Sequence, residues 1–198
     1  MTDNETAIQQ ILKLNNGIVT ATQVSEAGIP RRCLSEMVDS RIIYRVGRGI
    51  YALPEAWEDE MFFMQYRFSK GIFSHETALY LHGMTDRTPI RYTMTFPFGY
   101  NTSNVRKHGI VAKLSTEDTY ELGIIGMTSP PGNPIKVYDI ERTLCDIVKV
   151  RHRVDIQLIN QAMKIYAGAK EKDIAKLLNY ADQLRVKPKV MRYMEILL

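Results

Sequence analysis

The stretch GIPRRCLSEMVDSRIIYRVGRGIYALP, residues 28–54, decides how this chain is read. Gly28 suits the end of one helix and Pro30 the first turn of the next, where the N–H that proline lacks would be unpaired anyway. Leu34, Met37 and Val38 then recur at helical spacing as a buried stripe, and Ile42 carries the apolar side onward. Arg31, Arg32, Ser35, Glu36 and Asp39 fall on the outward face. After the helix, residues 42–53 read as a hairpin. Ile42 or Ile43, Arg45 and Val46 form one arm, and Ile50, Tyr51 and Leu53 form the other. Gly47 and Gly49 allow the tight bend, which leaves Arg48 projecting from its tip.

Working upstream, NETAIQQILKLNNG predicts an amphipathic helix with Ile8, Ile11 and Leu12 on one side and Leu14 closing it. Asn15, Asn16 and Gly17 stop that helix, and Ile18–Val19–Thr20 is a short extended piece. Thr20 or Thr22 can cap a short helix that carries Val24 and Ala27. The order is therefore helix, short strand, helix, glycine turn, helix, hairpin. Two helices joined by a glycine turn and followed by a hairpin make a winged helix-turn-helix.

In such a module the second helix of the pair enters the DNA major groove N-terminus first. Arg31 and Arg32 stand at that end, where unpaired backbone N–H groups already favour phosphate. Arginine is also the side chain best matched to guanine edges or to a bidentate phosphate contact. Arg31, Arg32, Ser35, Arg45 and Arg48 are the candidate DNA-binding residues. The competing reading of Arg45 and Arg48 is that they are solvated charges that blunt an exposed hairpin.

Beyond Pro54 the pattern changes. Trp57, Met61, Met64 and Phe68 predict a helix over 57–68, with Phe62, Phe63 and Tyr66 making it apolar around much of its circumference. Ser74 is a candidate cap for a helix with Ala78, Leu79 and Leu81 in the core and Gly83 at its end. RYTMTFP, residues 91–97, alternates as a half-buried strand. IVAKLS, ELGIIGMTSP and IKVYD are further strand candidates, and PPGNP is a turn. Asp139 is expected to cap a helix over DIERTLCDIVK, and three closing helices are expected over 153–167, 170–181 and 188–198. The fold class is α+β: a winged helix-turn-helix over 1–54, then a mixed α/β domain with closing helices over 55–198.

Composition narrows the function classes. The chain has 198 residues, 45% of them hydrophobic, enough to bury a core. No apolar run spans a bilayer, and the start MTDNETAIQQ lacks the basic and apolar regions of a signal peptide. A cytoplasmic protein without a membrane partner is expected. Cys33 and Cys145 are too few and too far apart for a disulfide framework or a zinc site, and both sit in apolar contexts suited to buried thiols. Net charge is +4, made up of +1 over residues 1–54, −2 over 55–135 and +5 over 136–198. Five of the six basic residues in the first segment lie between Arg31 and Arg48. The later ones (among them Lys164, Lys170, Lys172, Lys176, Arg185, Lys187, Lys189 and Arg192) fall on polar helix faces, which are either solvated surface or a basic face for nucleic acid.

No catalytic motif stands out. His75 and His82 are seven apart, whereas a His-Glu-x-x-His zinc helix places its histidines four apart. Asp139, Glu141, Arg142 and Asp146 could make a nuclease-like constellation, but a cap and an i, i+4 ion pair explain them more simply. No enzyme activity, metal or cofactor is expected.

Four phrases in order resemble one family: GIPRRCLSEMVDSRIIYRVGRGIYALP, FSHETALYLHGMTDRTP, YTMTFPFGYN and VYDIERTLCDIVK. Together they are similar to the AbiEi-type antitoxins of bacterial abortive-infection (type IV) toxin–antitoxin systems. The resemblance implies an N-terminal winged helix-turn-helix that represses its own operon, with the C-terminal domain assisting cooperative operator binding; operator DNA with repeated half-sites is the expected partner. It also implies a C-terminal domain that counters a nucleotidyltransferase-like toxin without a stable complex between the two. It extends a DNA-binding role to Arg31, Arg32, Arg45 and Arg48 as positions in the matching helix and wing.

Overall fold

The structure, a computed structural model, describes residues 3–56, 58–149 and 154–197. The chain groups into two compact units, one of Met1–Arg67 with Thr128–Pro134, the other of Phe68–Met127 with Ile135–Leu198. The end of the DNA-reading module at Pro54 stands as a proposal from the sequence.

The first unit opens with α1 (Asp3–Leu14), β1 (Ile18–Thr20), α2 (Ala21–Glu26) and α3 (Arg32–Asp39). Ile8 and Leu12 of α1 are buried as expected, but Leu14 is 83% exposed. It misses the core because it stands about 200° around the helix from Leu12, on the outer face, at 3.6 residues per turn. Gly17 takes a φ of +79° and its N–H returns to the Leu12 carbonyl at 2.8 Å. A Cβ on Gly17 would stand 2.9 Å from the Ala56 Cβ, so both its conformation and its neighbour require glycine there. Thr20 caps α2 through a reciprocal box. Its hydroxyl accepts from the Gln23 N–H at 3.2 Å, and the Gln23 side chain accepts from the Thr20 N–H at 2.8 Å. Ala27 is exposed and outside the core.

β2 (Tyr44–Gly47) and β3 (Ile50–Ala52) join β1 in an antiparallel sheet of order β1-β3-β2. One core cluster of Ile8, Leu12, Val19, Val24, Ile29, Cys33, Leu34, Met37 and Ile43 ties the three helices to the sheet. Val38 and Ile42 only flank it. A second cluster, Ile18, Ile50 and Ala52, is covered by Ala56 and by Phe62, Phe63 and Tyr66 of α4 (Glu60–Arg67). β1 and β3 are thus packed from both sides, whereas β2 is mostly exposed. α4 starts three residues later than expected. Asp59 caps it, accepting from the Phe62 N–H at 2.9 Å. Trp57, placed in the α4 stripe from the sequence, lies outside the described residues.

Asp59 is 1% exposed. Its carboxylate also accepts from the Asn133 side-chain amide at 2.8 Å and from the Ser129 hydroxyl. The Ser129 N–H donates to the Asn133 carbonyl at 2.8 Å, and the Asn133 N–H donates to the Ser129 hydroxyl at 3.0 Å. The segment Thr128–Pro134, the expected PPGNP turn among it, is held in the first unit by this buried carboxylate.

The second unit contains β4 (Ile72–Phe73), α5 (His75–Leu81), β5 (Thr93–Pro97), α6 (Ser103–Lys107), β6 (Val111–Ser115), α7 (Glu117–Tyr120), β7 (Ile124–Thr128), β8 (Pro134–Tyr138) and α8 (Ile140–Ile147). α9 (Ile156–Gly168), α10 (Ile174–Gln183) and α11 (Lys187–Leu197) close the chain, near the three spans expected. Arg153, where the first of those spans begins, lies outside the described residues. The sheet order is β6-β5-β4-β8-β7; β5 runs parallel to β6 and antiparallel to β4. β4, α6 and α7 were not expected, because each is too short to show a period.

The expectation for β5 is overturned. β5 is buried on both faces, not half-buried: Thr93 and Thr95 are 3% and 2% exposed. Their polar groups find partners inside. The Thr93 N–H donates to the Thr77 hydroxyl at 2.8 Å, and the Thr95 hydroxyl donates to Ser74 at 2.9 Å. Alternation of Thr with aromatic residues mimics a solvent face when the hydroxyls are satisfied internally.

Candidate nucleic-acid interface

α3 presents its N-terminus outward. Cys33, Leu34 and Met37 fix the helix on the core, and Arg31, Arg32 and Ser35 are all exposed. Pro30 sits two residues ahead of the first helical residue, Arg32, rather than inside the first turn. Its carbonyl accepts from the Cys33 N–H at 3.0 Å, so it still leads into the helix. Arg31 occupies the cap position with helical backbone angles and makes no side-chain cap. Instead its Nε donates to the Ser25 Oγ at 2.8 Å, at the end of α2. The guanidinium is thereby steered while its terminal nitrogens stay exposed. Ser25 was not singled out in the sequence; the only signal was a hydroxyl six residues before an arginine, across a glycine turn.

The hairpin turns at Arg48 and Gly49, and Gly49 has a φ of +74°. The Gly49 carbonyl accepts from the Ala21 N–H at 2.8 Å, and a Cβ there would come within 3.3 Å of the Tyr66 hydroxyl. Tyr66 in turn meets the Thr22 hydroxyl at 3.1 Å. The base of the wing is therefore gripped by the start of α2 and by α4, and Arg48 is left exposed beyond it. Ile50 is buried and Leu53 half-buried, with the Leu53 N–H donating to the Gly17 carbonyl at 2.9 Å.

Register decides where Arg45 stands. It lies opposite Tyr51, and directly opposed residues share a face of the sheet. Tyr51 packs on the three-helix cluster, so Arg45 is on the helix side of the wing, exposed, with its Nε 3.4 Å from the Gly47 carbonyl. Tyr44 stands opposite Ala52 on the other face. Tyr44 and Val46 are 48% and 41% exposed, so the first arm is largely solvated. Arg41, with a φ of +58° just past α3, is an exposed cation the sequence did not flag.

The residues considered for catalysis are occupied elsewhere. His75 is buried with a φ of +54°, its Nδ1 3.0 Å from the Ser74 hydroxyl. Ser74 precedes α5 as expected, but its hydroxyl turns to His75 and Thr95 instead of capping. His82 Nε2 lies 2.7 Å from the Tyr138 carbonyl. Asp139 caps α8 by accepting from the Arg142 N–H at 2.8 Å, and it pairs with Lys176 at 2.9 Å. Glu141 accepts from the Tyr166 hydroxyl at 3.1 Å and pairs with Lys176 at 3.2 Å. Arg142 and Asp146 pair at 2.9 Å. Arg142 also donates to the Leu122 carbonyl at 2.9 Å and lies 4.2 Å over the Tyr138 ring. Burial alone would raise the Asp146 carboxyl, but the Arg142 guanidinium, His75 and Lys149 together hold it down at about 2. Burial pushes the Cys145 thiol up to about 12, with Asp146 adding to the rise. Cys33 and Cys145 are both buried and free. Among the described residues no group of three or more His, Cys, Asp or Glu is placed to hold a metal, and no helix is long and apolar enough to cross a membrane.

Three helices on a three-stranded sheet, with the last two strands forming an arginine-tipped hairpin, make this unit a winged helix-turn-helix. Residues 7–54 match the model of a family described as transcriptional regulator, AbiEi antitoxin. Over those residues the chain is similar to AbiEi antitoxins. A crystal structure of the RV2827C protein from Mycobacterium tuberculosis aligns with 98% of this chain and 82% of its own, at 11% identity and a TM-score of 0.47. No curated protein matches the chain.

Proposed function

We propose that the protein is an antitoxin and transcriptional autorepressor of a type IV toxin–antitoxin operon, working in the cytoplasm. α3 reads operator DNA in the major groove through Arg31, Arg32 and Ser35. Arg48 and Arg45 hold the adjoining backbone or minor groove. The first 54 residues carry a net charge of only +1, so one copy is a modest binder and repeated half-sites occupied together supply the affinity. The second unit strengthens occupancy and counters a nucleotidyltransferase-like toxin without a stable complex. The observation that carries this reading is the exposed arginine cluster at the start of α3, within the residues that match the AbiEi family. No enzyme activity is assigned: Asp139, Glu141 and Asp146 are each committed to ion pairs.

The test is a gel shift on DNA from upstream of the protein's own gene, comparing the wild type with the Arg31→Ala, Arg32→Ala double variant. Loss of two such contacts weakens binding by more than about tenfold. The same variant still protects cells from the co-expressed toxin. Unchanged DNA affinity overturns the reading of α3. Co-purification of the toxin replaces the indirect route with direct occlusion.

A further inference from the structure

A second site lies in the second unit. Thr116, Asp118 and Thr119, just past the carboxyl end of β6, face Lys149, Gln183, Leu184, Arg185, Val186 and Lys189 across a surface cavity of about 740 Å³. That volume falls in the range of small-molecule sites. The cavity lies beyond the carboxyl end of β6, the edge strand of the sheet. Three cations line it against one acid. Lys149 is fixed by a 2.7 Å pair with the buried Asp146, and Lys189 Nζ lies 3.4 Å from the Val148 carbonyl. The side chain of Arg185 has no ion pair or hydrogen bond among the described residues.

Arg185 is the unusual member. α10 ends in a Schellman turn, with the Val186 N–H on the Ala181 carbonyl at 2.8 Å and the Arg185 N–H on the Asp182 carbonyl at 3.0 Å. Arg185 holds the left-handed position of that turn at a φ of +56°. Glycine adopts this conformation freely; a residue with a Cβ is strained in it. The fold alone therefore favours glycine here. What stands instead is a guanidinium at the mouth of a cationic cavity, the side chain best shaped for bidentate phosphate recognition.

We propose that this cavity binds the phosphate groups of a small phosphorylated metabolite, with Arg185 and Lys189 on the anion and the Thr116 and Thr119 hydroxyls beside it. The site is independent of DNA reading by the first unit.

Calorimetric titration of the full chain with pyrophosphate, ATP and GTP at physiological salt tests it, on an Arg31→Ala, Arg32→Ala background that removes the DNA-reading arginines. At least one probe binds with a Kd well below about 1 mM. Pyrophosphate binding as tightly as the nucleotides means the phosphates alone are read, and a preference for one nucleotide means its base is read too; both support the site. Arg185→Gly keeps or raises the melting temperature, because it relieves the strained turn, yet weakens binding by about tenfold. Lys189→Gln also weakens it. No binding by any of the three, or unchanged affinity in Arg185→Gly, overturns the proposal.

Discussion

Arg31 Nε donates to the Ser25 hydroxyl at 2.8 Å, linking the last turn of α2 to the start of α3. The bond orders a long exposed side chain before any ligand arrives. Ordering such a side chain at the moment of binding costs about 0.5–1.5 kcal/mol. Ser25→Ala is therefore expected to weaken operator binding by about two- to tenfold. The melting temperature stays unchanged, since Ser25 is exposed. Affinity equal to the wild type in a gel shift would mean that Arg31 is not used in the steered pose.

Arg48 is the outermost cation of the wing. Each phosphate contact contributes about 0.9 to the slope of log K against log salt on duplex DNA. Arg48→Ala should lower that slope by roughly 0.9 while leaving sequence preference intact. An unaltered slope across a salt titration would return Arg48 to the status of a solvated charge.

Asp59 gathers three donors into a buried site. Asp59→Ala removes the α4 cap and leaves the Ser129 and Asn133 side chains without an acceptor. The expected loss is about 2–4 kcal/mol, read as a lower urea midpoint. The loss extends to DNA binding, because α4 backs the sheet that carries the wing. A variant as stable as the wild type would show that the carboxylate is dispensable.

Asp146 gives a pH dependence. Its folded-state value of about 2 lies below the ordinary 3.8, so the unfolded chain takes up the proton first as the solution is acidified. Its contribution to stability is complete above the ordinary value and is lost as pH falls towards 2. Asp146→Asn is expected to cost about 3 kcal/mol or more at neutral pH, because Arg142 is left buried without its counter-charge. The variant's stability should also fall less steeply with acid over that window. A parallel decline in wild type and variant would assign the acid sensitivity to other groups.

The first unit was legible because its signals are local. Gly28, the Thr20 box and the paired glycines of the wing each fix a turn through a few neighbouring residues, and the apolar period between them names the helices. The exposed arginines at α3 and at the wing tip could be read from the same spacing. The second unit was less so. β4 is two residues long, and β5 hides its interior place in the sheet because Thr93 and Thr95 look polar until Ser74 and Thr77 are seen beside them. The Ser25–Arg31 bond depends on the angle between two helices. The Asp59 site joins residues 70 and 74 positions apart, which no local period reveals.

That separation has a consequence for synthesis. The amide that completes the Asp59 site belongs to a residue made 74 positions after it. At roughly 5–20 residues per second the ribosome supplies it about 4–15 s later. Until then a nascent chain carries the three helices and the hairpin without the segment that donates hydrogen bonds to Asp59. The winged helix-turn-helix is translated ahead of that segment and becomes complete only once Asn133 has been made.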